Sequence, residues 1–290
     1  MNEPEHLDLT KTGELIPLLQ RHGFHTSKSL GQHFLKKPAI LRNIVSNAEL
    51  NKDDVVVEIG AGMGDLTAFI AQEAKVVVAL ELDPNLMGIL KHKFAKNNNV
   101  FIVCEDALTF NYEQIAKRHN TLIKIIGNIP YYLSTALTTK LLTMRSIIVL
   151  ILFMFQKEVA ERIIAEPGSK SYGPLSIISK IYAHTTKLMD IERAHFYPPP
   201  NIDSVLLKFE LYQKPRISLD DEKYFEMTLY SIFAHRRKTL LNSLTALGQR
   251  TKDEVFQLCK AVNIDPMRRA ETLTIEEIDR LMSSLRIRGG

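Results

Sequence analysis

At 290 residues the chain can hold one large domain and a smaller one. Its 45% hydrophobic and 24% charged content is ordinary for a globular enzyme, and its net charge of +4 is compatible with a polyanionic partner without establishing one. Two cysteines, Cys104 in a predicted buried strand and Cys259 on a predicted helix, give no disulfide framework and no metal-ligand spacing, so no metal site is expected.

The first residues, Met1 to His6, are acidic and lack an apolar core, which fits neither a signal peptide nor an Arg-rich transit peptide. The expected location is cytoplasmic. Residues 1–27 read as an extension with one short amphipathic helix carrying Leu15, Ile16, Leu18 and Leu19. A basic, loop-like stretch follows from Lys28 to Lys37, and Pro38 marks the start of a helix.

Val55-Val56-Val57-Glu58-Ile59 then leads into Gly60-Ala61-Gly62-Met63-Gly64, and a helical pattern of Leu66, Phe69 and Ile70 comes after it. This is a strand, a tight turn and a helix. Glycines there let a ligand approach the main chain closely. The Gly-x-Gly-x-Gly spacing differs from the Gly-x-Gly-x-x-Gly that seats a pyrophosphate, which favours S-adenosylmethionine over NAD. Val76 to Leu80 is continuously apolar, as a strand covered on both faces should be, and ends in Glu81-Leu82-Asp83. An acidic residue about 20 positions past the glycine loop is where a ribose finds its hydroxyl acceptor. Val100 to Cys104 forms a third strand ending in Glu105-Asp106, with Asp106 placed to accept from an adenine amino group.

The fourth apolar run, Leu122 to Gly127, delivers Asn128-Ile129-Pro130-Tyr131-Tyr132. An Asn side chain and a neighbouring backbone carbonyl can accept from an exocyclic amine, and Tyr131 can stack on the base. Polar residues thus end four successive strands, at the edge where open α/β sheets bind ligands. The nine apolar residues Ile147 to Phe155 are too few to span a bilayer and read as the next buried strand. Strands alternating with helices from residue 54 to about 160 mean a right-handed, mostly parallel sheet. Leu188 to Arg193 and Val205 to Leu211 then flank a proline-rich connection, and an antiparallel pair there would close the sheet's edge.

After Pro215 the periodicity is helical, through Phe225, Leu229, Ile232, Leu240, Leu244, Val255, Leu258, Ile275, Ile278 and Leu281. The organisation expected is an extension over 1–27, an α/β domain over 28–212 and an all-α domain over 213–290. Basic residues cluster at Lys28, Lys36 and Lys37, at Arg236, Arg237 and Lys238, and at Arg268-Arg269 with Arg286 and Arg288. Beside an adenine-type site such clusters suit phosphate contacts, which supply affinity without sequence choice. An enzyme acting on a base amine must also unstack that base, and Phe196 in the proline-rich connection is a second candidate stacking face.

Taken together the chain resembles the small-subunit ribosomal RNA adenine N6,N6-dimethyltransferases, the KsgA/RsmA family. The resemblance rests on Gly31 to Leu35, Glu58 to Gly64, Glu81 to Asp83, Glu105 to Ala107, Asn128 to Tyr131, Gln156 to Glu158, Phe196 to Ser204 and Arg236 to Thr239, in that order along the chain. It implies a Rossmann-like class I methyltransferase sheet with a helical C-terminal domain. It implies S-adenosylmethionine held by His33, Leu35, Gly60, Glu81, Asp106 and Asn128, with Gly62 of the same loop. Catalysis falls to Asn128, Pro130 and Tyr131, and rRNA contact to Lys28, Lys36, Lys37, Phe196, Arg236, Arg237 and Lys238. Family members often carry Asn where this chain has His33, and either can hydrogen-bond the methionine end. The substrate implied is a pair of neighbouring adenosines in the 3′-terminal hairpin loop of small-subunit rRNA on a pre-ribosomal particle. The sequence shows no oligomeric interface, so a monomer is the default expectation. An Erm-type large-subunit rRNA methyltransferase, a DNA adenine methyltransferase and a non-catalytic RNA-binding assembly factor are the rival readings.

Overall fold

The computed structural model describes residues 32–217 and 221–286. The expected helix before residue 28, together with Lys28, Gly31 and Arg288, lies outside them. Along the described chain run β1 (Phe34–Leu35), α1 (Pro38–Asn47), β2 (Val55–Ile59), α2 (Asp65–Glu73), β3 (Val76–Leu80), α3 (Pro84–Lys93), β4 (Val100–Val103), α4 (Tyr112–His119), β5 (Ile123–Gly127), α5 (Ser134–Thr143), β6 (Ile148–Gln156) and α6 (Lys157–Ile163). These are followed by α7 (Pro174–Tyr182), β7 (Ala183–Ile191), β8 (Phe196–Tyr197), β9 (Ser204–Leu211), α8 (Glu222–Phe233), α9 (Leu240–Thr245), α10 (Lys252–Ala261) and α11 (Ile275–Arg286). No helix among the described residues is long and apolar enough to cross a membrane.

The sheet has seven strands in the order β4-β3-β2-β5-β6-β9-β7. The first five are parallel, with Val55 opposite Val76 on one side and Ile123 on the other. β9 then runs antiparallel to β6, Gln156 facing Ser204. Strands β2 and β3 are buried at every position, which is why they read as unbroken apolar runs. Leu41, Ile44 and Val45 of α1 and Leu66 and Ile70 of α2 pack on Val56, Val77 and Ile126 of the sheet. The helix starts follow local chemistry: Pro38 occupies the first turn of α1, and the Asp83 carboxylate accepts from Asn85 N–H at the start of α3.

Two compact units emerge. One comprises the described residues through Ala160 with Thr186–Leu211; the other comprises Glu161–Thr185 and Tyr212 onward. The segment Glu161–Thr185 therefore groups with the helical unit, whereas a linear reading put it in the α/β domain. Within the helical unit the buried Tyr172 hydroxyl donates to the Leu273 carbonyl at 3.0 Å, which ties this early segment to the late helices. Phe225, Leu229, Ile232, Leu244, Val255, Cys259, Ile278 and Leu281 are buried there.

Two further expectations need correcting. Cys104 lies one residue beyond β4 and is exposed, and β4 itself, an edge strand, has no buried residue. Phe196 is fully buried: β8 pairs antiparallel with β1, and the ring packs among Leu35, Ile191 and Leu206. A ring in the core presents no face to a nucleobase, so Phe196 is not a stacking platform in this conformation.

Candidate active site

A cavity opens at the C-terminal ends of β2, β3, β4 and β5. Its wall includes His33, Leu35, Glu58, Gly60, Gly62, Glu81, Asp106, Asn128, Pro130 and Tyr132. The alternation of strand and helix brings these residues together, since each strand end carries its polar group to the same edge.

The glycine loop is held against its neighbours. Gly62 has φ +58, and a Cβ there would stand 3.0 Å from the Phe34 ring. Gly60 has φ +74 and lies beside the Asn128 carbonyl, which a Cβ would meet at 3.1 Å. Both positions demand glycine for conformation and for space. Gly62 N–H donates to Glu81 Oε2 at 2.7 Å, and Asp83 N–H donates to Oε1 at 2.9 Å. Glu81 thus braces the loop as well as lining the cavity; burial pushes its carboxyl up, and these backbone donors oppose that. Asp106 is half-buried and its Oδ1 accepts from Leu108 N–H at 2.8 Å.

Asn128 is the centre of the fourth strand end. Its Nδ2 donates to the His33 carbonyl at 2.7 Å. With the amide nitrogen committed, Oδ1 is the atom left to accept a hydrogen bond. His33 is held in turn: its Nδ1 lies 2.7 Å from the Pro198 carbonyl, and its ring stacks on Tyr131 at 5.5 Å between centroids. The Tyr131 hydroxyl is 3.2 Å from Ser204 Oγ. Tyr131 is therefore clamped between His33, just ahead of β1, and Ser204 of β9, and it is Tyr132, 60% exposed, that lines the cavity wall.

Sequence reasoning quoted Glu58 only as part of the glycine motif. In the structure it lies on the cavity wall, 1% exposed, with Oε2 lacking any hydrogen-bond partner. Burial pushes its carboxyl up to about 8. No sequence signal separates this glutamate from an ordinary strand residue, since its state depends on the cover over both faces. The cavity's acceptors, Glu58, Glu81, Asp106 and Asn128 Oδ1, suit a ligand that carries hydrogen-bond donors and positive charge.

The basic residues fall in different places. The Lys36 ammonium sits 6.0 Å from the Tyr197 ring centroid, and Lys37 is exposed with its Nζ 3.5 Å from His195. In the helical unit Arg236, Arg237 and Lys238 are all exposed, and Arg236 pairs with Glu271 at 3.1 Å.

Residues 23–281 match the family model described as ribosomal RNA adenine dimethylase. The chain belongs to that family. It is 38% identical to ribosomal RNA small subunit methyltransferase A of Geobacillus sp. (strain WCH70), over 96% of this chain and 98% of that protein. It is 40% identical to the protein of the same name from Alkaliphilus metalliredigens (strain QYMF), over 90% of this chain and 92% of that one. Among solved structures, a dimethyladenosine transferase from Plasmodium falciparum superposes with a TM-score of 0.76 at 26% identity, covering 88% of this chain and 98% of its own. The 23S rRNA methyltransferase ErmE shares the fold, with a TM-score of 0.67 at 23% identity over 87% of this chain and 99% of its own. In this dimethylase family member the parallel sheet brings the glycine loop and Asn128 to one cavity.

Proposed function

We propose that the protein transfers methyl groups from S-adenosylmethionine to N6 of two adjacent adenosines in the 3′-terminal hairpin loop of small-subunit rRNA. The observation that carries the reading is Asn128: a family member holds this amide beside a cavity with its nitrogen tied to the His33 carbonyl, so that its oxygen is the acceptor for an incoming amine. The two relatives of 38% and 40% identity are named as small-subunit methyltransferases, which favours that substrate over the large subunit.

The cavity fits the donor. Glu58 carries a buried, unpartnered oxygen suited to a cationic ligand, and Glu81 and Asp106 line the wall where ribose and adenine donors would lie. His33, Leu35, Gly60, Gly62 and Asn128 complete the set proposed to hold S-adenosylmethionine. Bound there, the group supplies a methyl carbon already activated by its cationic sulfur.

The chain's own residues orient the acceptor. The N6 lone pair of adenine is delocalised into the ring, so the enzyme must favour the pyramidal, nucleophilic amine. Asn128 Oδ1 and a backbone carbonyl can each accept one N6 proton and do so best in the transition state. The second acceptor is a backbone carbonyl of Ile129-Pro130; that of Pro130 already takes one hydrogen bond, from Leu133 N–H at 3.0 Å. With the methyl group transferred to N6, the amine proton would leave to solvent while Asn128 Oδ1 and the backbone carbonyl hold the nitrogen. No strong base is required, because the nitrogen turns acidic after attack. Tyr131, with Tyr132 at the cavity wall, would hold the unstacked base.

In this reading the α/β unit is the methyltransferase domain and the helical unit, Glu161–Thr185 with Tyr212 onward, is an RNA-binding domain, with Lys28, Lys36, Lys37, Arg236, Arg237 and Lys238 on phosphates. The protein acts as a monomer in the cytoplasm on a pre-ribosomal particle. The test is transfer of labelled methyl groups to purified small and large subunits lacking these modifications, with the nucleosides resolved. N6,N6-dimethyladenosine confined to the small subunit is the expected product. Label on large-subunit RNA would assign the Erm-type activity, and no label on either would leave an RNA-binding assembly factor.

A further inference from the structure

Away from the cofactor cavity, β4 is an edge of the seven-stranded sheet. An edge strand offers unpaired backbone groups, and proteins ordinarily blunt or cover it. Here a groove runs beside it, lined by Phe101, Ile102 and Val103 of β4, by Lys91 and Phe94 at the end of α3, and by Ile115, Arg118 and His119 of α4. Three features set it apart from a plain solvated edge. Phe101 is 45% exposed on the strand itself. The lining holds three basic residues and no carboxylate. Lys91 and Arg118 are exposed and, among the described residues, without an ion pair, whereas Lys93 two positions along α3 is neutralised by Asp65 at 2.8 Å. The excess rests on Lys91 and Arg118, because burial and then the positive charges of Arg118 and Lys75 lower the proton affinity of His119 and favour its neutral ring.

Unpaired cations flanking an exposed aromatic over an apolar floor make a stacking platform with phosphate contacts. None of these residues takes part in the cofactor cavity. We propose that the groove beside β4 is a second rRNA-binding surface, on which Phe101 stacks an unpaired base of a small-subunit rRNA segment outside the target hairpin while Lys91 and Arg118 bind its phosphates. The proposal rests on the rRNA reading above for the identity of its RNA. A peptide strand added to the β4 edge and a second copy of this chain are the other occupants such a groove can take.

The experiment compares wild type with a Lys91→Ala/Arg118→Ala double variant and with Phe101→Ala. Each is first checked for unchanged affinity for S-adenosylmethionine, which shows that the α/β unit is intact; Arg118→Gln with Lys91→Gln replaces a double variant that fails this check. Binding to protein-free small-subunit rRNA and to unmethylated small subunits is measured across roughly 50 to 200 mM KCl. The double variant should bind about tenfold more weakly, with the slope of log K against log salt shallower by about 1.4, at roughly 0.7 per phosphate on single strands. Phe101→Ala should lose about tenfold with its slope unchanged. Unchanged affinity and slope in both variants would overturn the proposal. So would a loss seen on subunits but not on protein-free rRNA, which would name a ribosomal protein as occupant. A wild-type dimer in sedimentation that the variants abolish would assign the groove to a second copy instead. If wild type binds rRNA through the groove yet transfers no methyl group to either subunit, the catalytic reading fails while the surface stands.

Discussion

Replacing Glu58 by Gln tests the electrostatics of the cavity most directly. Glu58 is 1% exposed, and burial raises its carboxyl from 4.5 to about 8. The groups facing it are mixed: Thr67 and Lys93 favour the ionised form, while Glu81 and Asp65 oppose it. The folded protein therefore keeps a proton that the unfolded chain loses above the ordinary glutamate value. Glu58's contribution to stability is intact below about pH 4.5, falls as the pH rises, and levels off above about 8. The interval of about 3.5 units, at roughly 1.4 kcal/mol each, bounds the effect at about 5 kcal/mol. Glu58→Gln keeps the shape and removes the ionisation. Unfolding by denaturant across that interval should show wild type losing stability relative to the variant, with Gln the more stable form near pH 8. A cationic cofactor reverses the preference, since it favours the ionised carboxylate. Its binding near neutrality should release a proton, measured by calorimetry in buffers of different ionisation enthalpy, and its affinity should rise with pH up to about 8 in wild type alone. Parallel stability profiles for wild type and Gln, with no proton released on binding, would refute the reasoning.

Other perturbations separate the roles proposed for the remaining residues. Asn128→Ala should lower turnover by at least ~10²-fold, the scale of one oriented polar group, a larger factor than its loss of cofactor affinity in equilibrium titration. Glu81→Gln turns an amide nitrogen toward Gly62 N–H or Asp83 N–H, now held at 2.7 and 2.9 Å; a loss of about 1–3 kcal/mol in cofactor binding is expected. Tyr132→Ala removes an exposed ring, so the apparent KM for RNA should rise while thermal stability stays within roughly 0.5 kcal/mol. Arg236→Ala breaks an exposed pair with Glu271 and should change stability by less than about 1 kcal/mol, while the salt slope of RNA binding falls by about 1.

The sheet was legible because its strands are buried on both faces. Val76–Leu80 reads as an unbroken apolar run for the same reason that it is a central strand, and the polar residue after each run falls at the ligand edge by topology alone. What escaped reading depends on contacts between distant parts of the chain. β1 and β8 are two residues each, too short to show any period, and they exist because Phe34 pairs with Tyr197. That pairing turned Phe196 from a candidate platform into core. Glu161–Thr185 has helical patterning that either unit could have claimed, and the Tyr172 hydroxyl on the Leu273 carbonyl decides between them. The motif around Asn128 names the residue but not which way its amide faces.

That orientation links the short strand β1 to the chemistry. An asparagine free to flip would present its NH2 to the incoming amine half of the time, donor against donor, and the pyramidal N6 would lose its acceptor. The His33 carbonyl prevents the flip at 2.7 Å, and His33 itself is fixed by the Pro198 carbonyl, by stacking on Tyr131 and by the β1–β8 pairing beside it. In the proposed reading the catalytic geometry therefore depends on His33, just ahead of a two-residue strand, which contributes no reacting group. The identity of residue 33 does not enter that role: the atom that orients Asn128 is a backbone oxygen, which any residue supplies. The side chain's own partner is the Pro198 carbonyl, so replacing it should act through the hold on β1 before it acts on the cofactor.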